Sequence, residues 1–149
     1  MNAWRPGAPV NWDRPGELRT AGGLPAFVVE TLGARSGDRR RAVLGYLEDG
    51  ASGWLVMGSK GGAPRNPAWV HNLAAHPDAT VVLPDGERVA VRAERLEGVD
   101  LDAAWRRIET EAPEYMAYRS GMRRQMPVIR LRRADQPATP GVMPRLPSA

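Results

Sequence analysis

The chain has 149 residues, 42% of them hydrophobic and 26% charged, the length and balance of one globular domain whose core needs no covalent staples. It has no cysteine, which excludes disulfides, cysteine nucleophiles and thiolate metal sites, and its two histidines leave little material for a transition-metal centre. The net charge is +4, and no run of about 18 apolar residues exists to span a membrane.

Residues 1–23 are rich in proline and glycine and read as an irregular lead-in without the apolar stretch of a secretory signal. The expected location is therefore the cytoplasm. Leu24 to Leu32 is a β-branched, apolar strand. Arg41 to Glu48 follows the tight connection GARSGDRR. Asp49-Gly50 is a turn signal that leads into a strand at Gly53 to Gly58. Pro67 to Ala75 reads as a helix, with Asn66 as N-cap and Pro67 at the first helical position. Ala79 to Leu83 and Glu87 to Leu96 flank Asp85-Gly86, a second hairpin. A longer helix from Asp100 to about Arg119 is kinked or divided at Pro113. Pro127 to Arg132 is the last strand, and the four prolines of 134–149 make a loose tail. The folded unit is thus 24–133. Six short strands at hairpin spacing predict a mainly β, α+β architecture: a small antiparallel barrel, with the long helix over one face or opening.

Charge is unevenly spread. Residues 94–114 carry seven acids against three arginines, whereas 118–134 carry six arginines and no acid. Arg35, Arg39, Arg40 and Arg41 form a second basic cluster. Such clusters call for anionic partners. Nucleic acid is not among those expected. There is no recognition-helix motif, and the aromatics are few and not interleaved with the basic residues.

Three segments can carry chemistry. Gly58-Ser59-Lys60-Gly61-Gly62-Ala63-Pro64-Arg65-Asn66-Pro67 joins a strand to a helix start. Its paired glycines let backbone approach a planar ring or a phosphate, Ser59 adds a hydroxyl, and Lys60 is the one lysine among 21 basic residues. Read locally, the same residues are also a surface loop with capping chemistry. Gly33-Ala34-Arg35-Ser36-Gly37-Asp38-Arg39-Arg40 sets a hydroxyl between arginines, a phosphate cradle or else a solvated turn. Tyr115 and Tyr118 share a helix face, where they line a pocket, donate a proton or pack in the core. Trp69 shares a face with Leu73 and reads as core, while His71 points to solvent.

Taken together, these motifs resemble the deazaflavin-dependent nitroreductase family, actinobacterial split β-barrel proteins that use coenzyme F420. The resemblance runs from about Gly23 to Leu131. It rests on Thr31 to Gly37 (T-x-G-x-R-S-G), the DG hairpin, and the long block from Gly58 to Leu73 (G-S-x-G-G-x-P-x-N-P-x-W-x-x-N-L). His76 to Val81 and the Pro113 to Val128 pattern P-x-Y-x-x-Y…R-x-M-P-V complete it. It implies an FMN-binding-like split barrel of about six strands and an F420-dependent oxidoreductase. The hydride acceptor would be a small organic molecule: a quinone, a nitroaromatic or an enone. By resemblance, Arg35 and Arg40 contact the cofactor's phosphate, with Ser36 and Gly37 as donors beside it. Ser59, Lys60, Gly61 and Gly62 lie along the deazaflavin, and Trp69 and Asn72 complete the cofactor site. Tyr115, Tyr118 and Ser59 face the reacting end, with Tyr118, Ser59 or water as proton donor.

Two departures bear on the acceptor. Gly45 and Ala112 stand where family members often carry aromatics, which implies a wider pocket or a different acceptor. The lead-in cannot easily form the basic amphipathic helix of other members, so a peripheral membrane contact has no support in the sequence. FMN in the same barrel, and a non-catalytic cofactor-binding module, are the alternatives. Monomer and dimer both stay open.

Overall fold

A computed structural model describes residues 8–59 and 65–136 of the protein. Among these, eight strands and three α-helices form in the order β1 (Leu18–Arg19), β2 (Pro25–Leu32), β3 (Arg39–Gly45), β4 (Leu47–Glu48), β5 (Gly53–Met57), α1 (Ala68–Ala75), β6 (Asp78–Val82), β7 (Arg88–Arg95), α2 (Gly98–Glu111), α3 (Glu114–Gly121) and β8 (Val128–Arg133). All six expected strands are present, the second of them broken at Tyr46.

That break closes the sheet. The strands run β1-β2-β6-β7-β8-β5-β4, all antiparallel, with β3 on the flank of β2. β3 and β4 are consecutive in the chain and separated by one residue, yet β3 pairs with β2 and β4 with β5. The bent segment from Arg39 to Glu48 therefore joins the two ends of the sheet into a split barrel. At the β5–β8 seam, Gly53 has φ +139° and an added Cβ would sit 2.0 Å from the Leu131 carbonyl oxygen. Only glycine lets the two strands come this close.

Both faces of β2 and β5 are buried, which explains their largely apolar runs. Along β5, Trp54 and Val56 point into the barrel with Phe27, Val29, Val81, Val91, Ile129 and Leu131. The alternate residues Leu55 and Met57 pack outward under Trp105 and Ile108 of α2. Phe27 stacks on Tyr46 at 4.2 Å and meets Trp54 edge-on at 5.6 Å. Tyr46 and Gly45 thus serve opposite faces.

The helices follow the sequence with two refinements. The long helix divides at Ala112-Pro113, because the proline ring forces the preceding residue out of helical geometry. The expected N-cap of α1 needs correction: Pro67, in extended geometry, takes that position and Ala68 opens the helix. Asn66 is unavailable as a cap because its side-chain oxygen accepts a hydrogen bond from Arg124 at 2.6 Å.

Ahead of β1, residues 8–17 cross the end of the sheet. The Gly16 amide donates to the Pro84 carbonyl at 2.9 Å, and Leu18 pairs with Ala26 in the β1–β2 ladder.

Candidate functional site

Two concave regions meet at the start of α1. The first, about 780 Å³, lies between α1 and the β2–β3 connection and is lined by Arg35, Ser36, Arg40, His71 and Asn72. None of the described residues lining it carries a carboxylate, and neither Arg35 nor Arg40 is paired with a described acidic side chain. The second, about 680 Å³, is mostly apolar and aromatic, with Trp12, Met57, Ser59, Trp69, Tyr115 and Tyr118 in its walls. Arg40 lines the first and Arg41 the second. Ala68 lines the first, while Pro67 and Trp69 line the second. The N-terminus of α1 therefore stands between a basic cleft and an aromatic cavity.

The loop that carries Arg35 and Ser36 is locally determined. The Gly33 amide donates to the Asp38 carbonyl at 2.7 Å, and the Gly37 amide donates back to the Gly33 carbonyl at 2.9 Å. Gly37 has φ +73°, the left-handed geometry that such a turn needs. Its amide is thus spent inside the loop, and Gly37 is not among the residues lining the cleft. The Ser36 hydroxyl accepts the Asp38 amide at 3.1 Å and lies 3.5 Å from an Arg40 guanidinium nitrogen.

Asn72 is buried and both ends of its amide are used. Its oxygen accepts the Ala34 N–H at 3.0 Å and its nitrogen donates to the Thr31 hydroxyl at 3.3 Å. It ties α1 to the basic loop. Trp69 is both core and wall: it packs against the barrel interior and lines the aromatic cavity.

At the other end, Tyr115 is buried and Tyr118 is 37% exposed, the rings edge-to-face at 5.6 Å. Burial, with the neighbouring Glu114 carboxylate second, pushes the Tyr115 phenol up to about 12. It is a hydrogen-bond donor throughout the physiological range. Gly45 is one wall of the aromatic cavity, and the place its Cβ would take is filled from the lead-in. The Thr20 methyl lies 2.5 Å from where a Gly45 Cβ would stand, and the Tyr115 hydroxyl 3.6 Å from it. Thr20 holds that place because its hydroxyl accepts the Leu24 amide at 3.1 Å.

The structure therefore brings Arg35, Ser36, Arg40 and Asn72 to one cleft, and Ser59, Trp69, Tyr115 and Tyr118 to the adjoining cavity. Lys60, Gly61 and Gly62 lie outside the described residues. Sequence reasoning missed Trp12, Thr20 and Met57 as cavity walls, and His71 as a wall of the cleft. Trp12 sits in a proline- and glycine-rich stretch without periodicity, so no local signal marked it. Chemically, the arrangement suits a ligand with a planar body and an anionic extension. The guanidinium and hydroxyl groups meet the anion, and the tryptophan and tyrosine walls meet the ring. No group of three potential metal ligands forms among the described residues. No helix there is long and apolar enough to cross a membrane.

A family model described as F420H2-dependent quinone reductase matches residues 13–132. An F420H2-dependent quinone reductase of Mycobacterium tuberculosis is 36% identical over 118 residues, covering 77% of this chain and 78% of that protein. Among solved structures, an F420-H2 dependent reductase superposes with TM-score 0.61 at 28% identity, covering 70% of this chain and 90% of that one. Another, described as a domain-swapped dimer, superposes with TM-score 0.59 at 31% identity over 70% of this chain and 77% of that one. A heme-binding protein of Mycobacterium smegmatis shares the fold alone, with TM-score 0.57 at 23% identity over 74% of this chain and 46% of that one. Family match, relatives and two-part cleft agree: the chain belongs to the F420H2-dependent quinone reductase family, oxidoreductases whose cofactor is coenzyme F420.

Proposed function

We propose that this protein binds coenzyme F420 across both parts of the cleft and reduces a quinone seated in the aromatic cavity. The juxtaposition of a basic cleft, with no carboxylate among its described lining residues, and an aromatic cavity carries the reading. Arg35 and Arg40 hold the cofactor's phosphate and Ser36 donates its hydroxyl there. Asn72 acts one step back, holding the loop in place through Ala34. Ser59 and Trp69, both in the wall of the aromatic cavity, would hold the deazaflavin ring.

When bound in its reduced form, the cofactor supplies a hydride to the acceptor. The chain's own residues then do three things. Trp12, Met57 and Trp69 exclude water from the acceptor's ring, so that electrostatic contacts there act at lower dielectric. Tyr115, always protonated, donates a hydrogen bond to an acceptor oxygen and stabilises the negative charge that develops on it. Tyr118, half-exposed at the mouth, gives a proton to that oxygen and recovers it from solvent. Nitroaromatics and enones place an electron-poor group and an oxygen similarly and belong in the same acceptor screen.

The test is a fluorescence titration of cofactor-free protein with coenzyme F420 and, in parallel, with FMN at low and high salt. Tighter F420 binding that weakens with ionic strength is expected, because the basic cleft is open to screening ions. Preference for FMN would move the function to flavin chemistry. Binding of neither would remove the reading.

A further inference from the structure

The connection that follows β5 carries the Gly58–Leu73 block, and one side chain grips it at both ends. Arg124 lies between α3 and β8. One of its terminal nitrogens donates to the Asn66 side-chain oxygen at 2.6 Å, and the other donates to the Ser59 carbonyl at 2.9 Å. Three residues on, the Pro127 carbonyl accepts the Gly58 amide at 2.9 Å. Gly58 itself is closed in: an added Cβ would meet Val70 at 3.0 Å and the Pro127 ring at 3.1 Å. The segment 124–127 thus seats the start of the connection by backbone and clasps its two ends by one guanidinium. Burial lowers the Arg124 pKa, so the charge is held there against a desolvation cost. Surface arginines carry no such cost. It is offset here by charge-assisted bonds to two acceptors seven residues apart.

We infer that Arg124 is a positioning residue for cofactor binding: its fork fixes the separation of Ser59 and Asn66, and with it the place of Ser59 beside the deazaflavin. This rests on the proposed placement of the ring beside Ser59. A planar fork is required because the two acceptors belong to different parts of the chain. A lysine carries its donors on one tetrahedral nitrogen and does not reproduce the planar fork that spans them.

The experiment compares Arg124→Lys, Asn66→Ala and the double variant in the full chain, by cofactor titration, steady-state kinetics and melting temperature. Arg124→Lys is expected to raise the cofactor dissociation constant and cofactor KM about tenfold, the loss of one charge-assisted bond. At saturating cofactor kcat should hold, and the melting temperature should move little. The double variant should bind no worse than the poorer single variant, because both remove the same clasp. Asn66→Asp, which keeps the acceptor, should bind like the wild type. Unchanged affinity in Arg124→Lys overturns the inference. So does a fall in melting temperature that accounts for the whole effect, or strict additivity in the double variant. If the wild-type protein does not bind F420 at all, the functional reading fails separately. Amide exchange at Gly58 and Asn66 then decides the clasp: faster exchange in Arg124→Lys with the rest of β5 unchanged supports it, and unchanged exchange overturns it.

Discussion

Tyr118 and Tyr115 differ by one helical turn and by environment, and the difference separates their roles. Tyr118→Phe should lower kcat by about tenfold or more, the scale of a lost general acid, while leaving cofactor affinity intact. Unchanged turnover in stopped-flow assays would make the ring a packing element. Tyr115 is pushed up to about 12, so the pH–rate profile should show no basic limb from it between about pH 7 and 10. A break there that vanishes in Tyr115→Phe would contradict the buried-phenol assignment. Gly45 shows what a single residue decides. Adding a methyl drives it into Thr20, whose hydroxyl is committed to Leu24. Gly45→Ala should therefore cost about 1–3 kcal/mol by overpacking, read by urea denaturation. The sequence shows that an aromatic is missing at this position. It does not show that a threonine some 25 residues earlier has taken the space, because nothing local to either residue records the other.

At the scale of elements, the basic loop and α1 work as one unit through Asn72. Asn72→Ala leaves the Thr31 hydroxyl and the Ala34 amide without their partner, a loss of about 1–3 kcal/mol in stability. Cofactor affinity should fall with it, by calorimetric titration, even though Asn72 spends both ends of its amide on the protein. The double variant Arg35→Ala/Arg40→Ala should behave differently. It should keep the melting temperature of the wild type and lose cofactor affinity about tenfold or more per arginine at low salt. Unchanged affinity would reject the phosphate assignment. This loop was legible because its signature is contiguous: glycines, hydroxyl and arginines within eight residues. The division of the long helix was legible for the same reason, since Pro113 acts on its own neighbours. The N-cap of α1 was not. Asn66 has the right chemistry in the right place, but a partner 58 residues away competes for its oxygen and wins.

Across the whole molecule, the barrel carries its positive charge on an internal counterweight. Glu30 is 6% exposed and sits among Arg88, Arg41 at 3.4 Å and Arg39 at 3.8 Å, with Arg88 the hydrogen-bonded partner. The Arg88 bond, reinforced by the charges of all three arginines, outweighs burial and holds the carboxyl below its ordinary 4.5. A carboxylate with a lowered folded-state pKa stabilises the fold above its unfolded value, and that contribution disappears as the pH falls through the lowered one. Glu30→Gln should accordingly cost about 1–3 kcal/mol near pH 7, a figure reduced by the partial exposure of the arginines. The difference from wild type should shrink steadily below about pH 4.5. A pH-independent difference in chemical denaturation would show that packing and not charge is at stake.

The sequence by itself determined the strands and helices and most of their limits, the family, and the segments that carry chemistry. These depend on short-range rules: alternation of apolar residues, turn-forming glycines, proline at helix boundaries, and motifs read over one stretch of chain. Only the tertiary structure decided how the segments meet. Closure of the barrel through the bend at Tyr46 puts Arg40 beside α1 and Arg41 beside the aromatic cavity. It also brings Trp12 and Thr20 from the lead-in to the cavity wall. Asn72 meets a loop 38 residues earlier, and Arg124 meets a carbonyl 65 residues earlier. Such pairings follow from strand register and packing across the fold, and a side chain's nearest neighbours in sequence carry no trace of them.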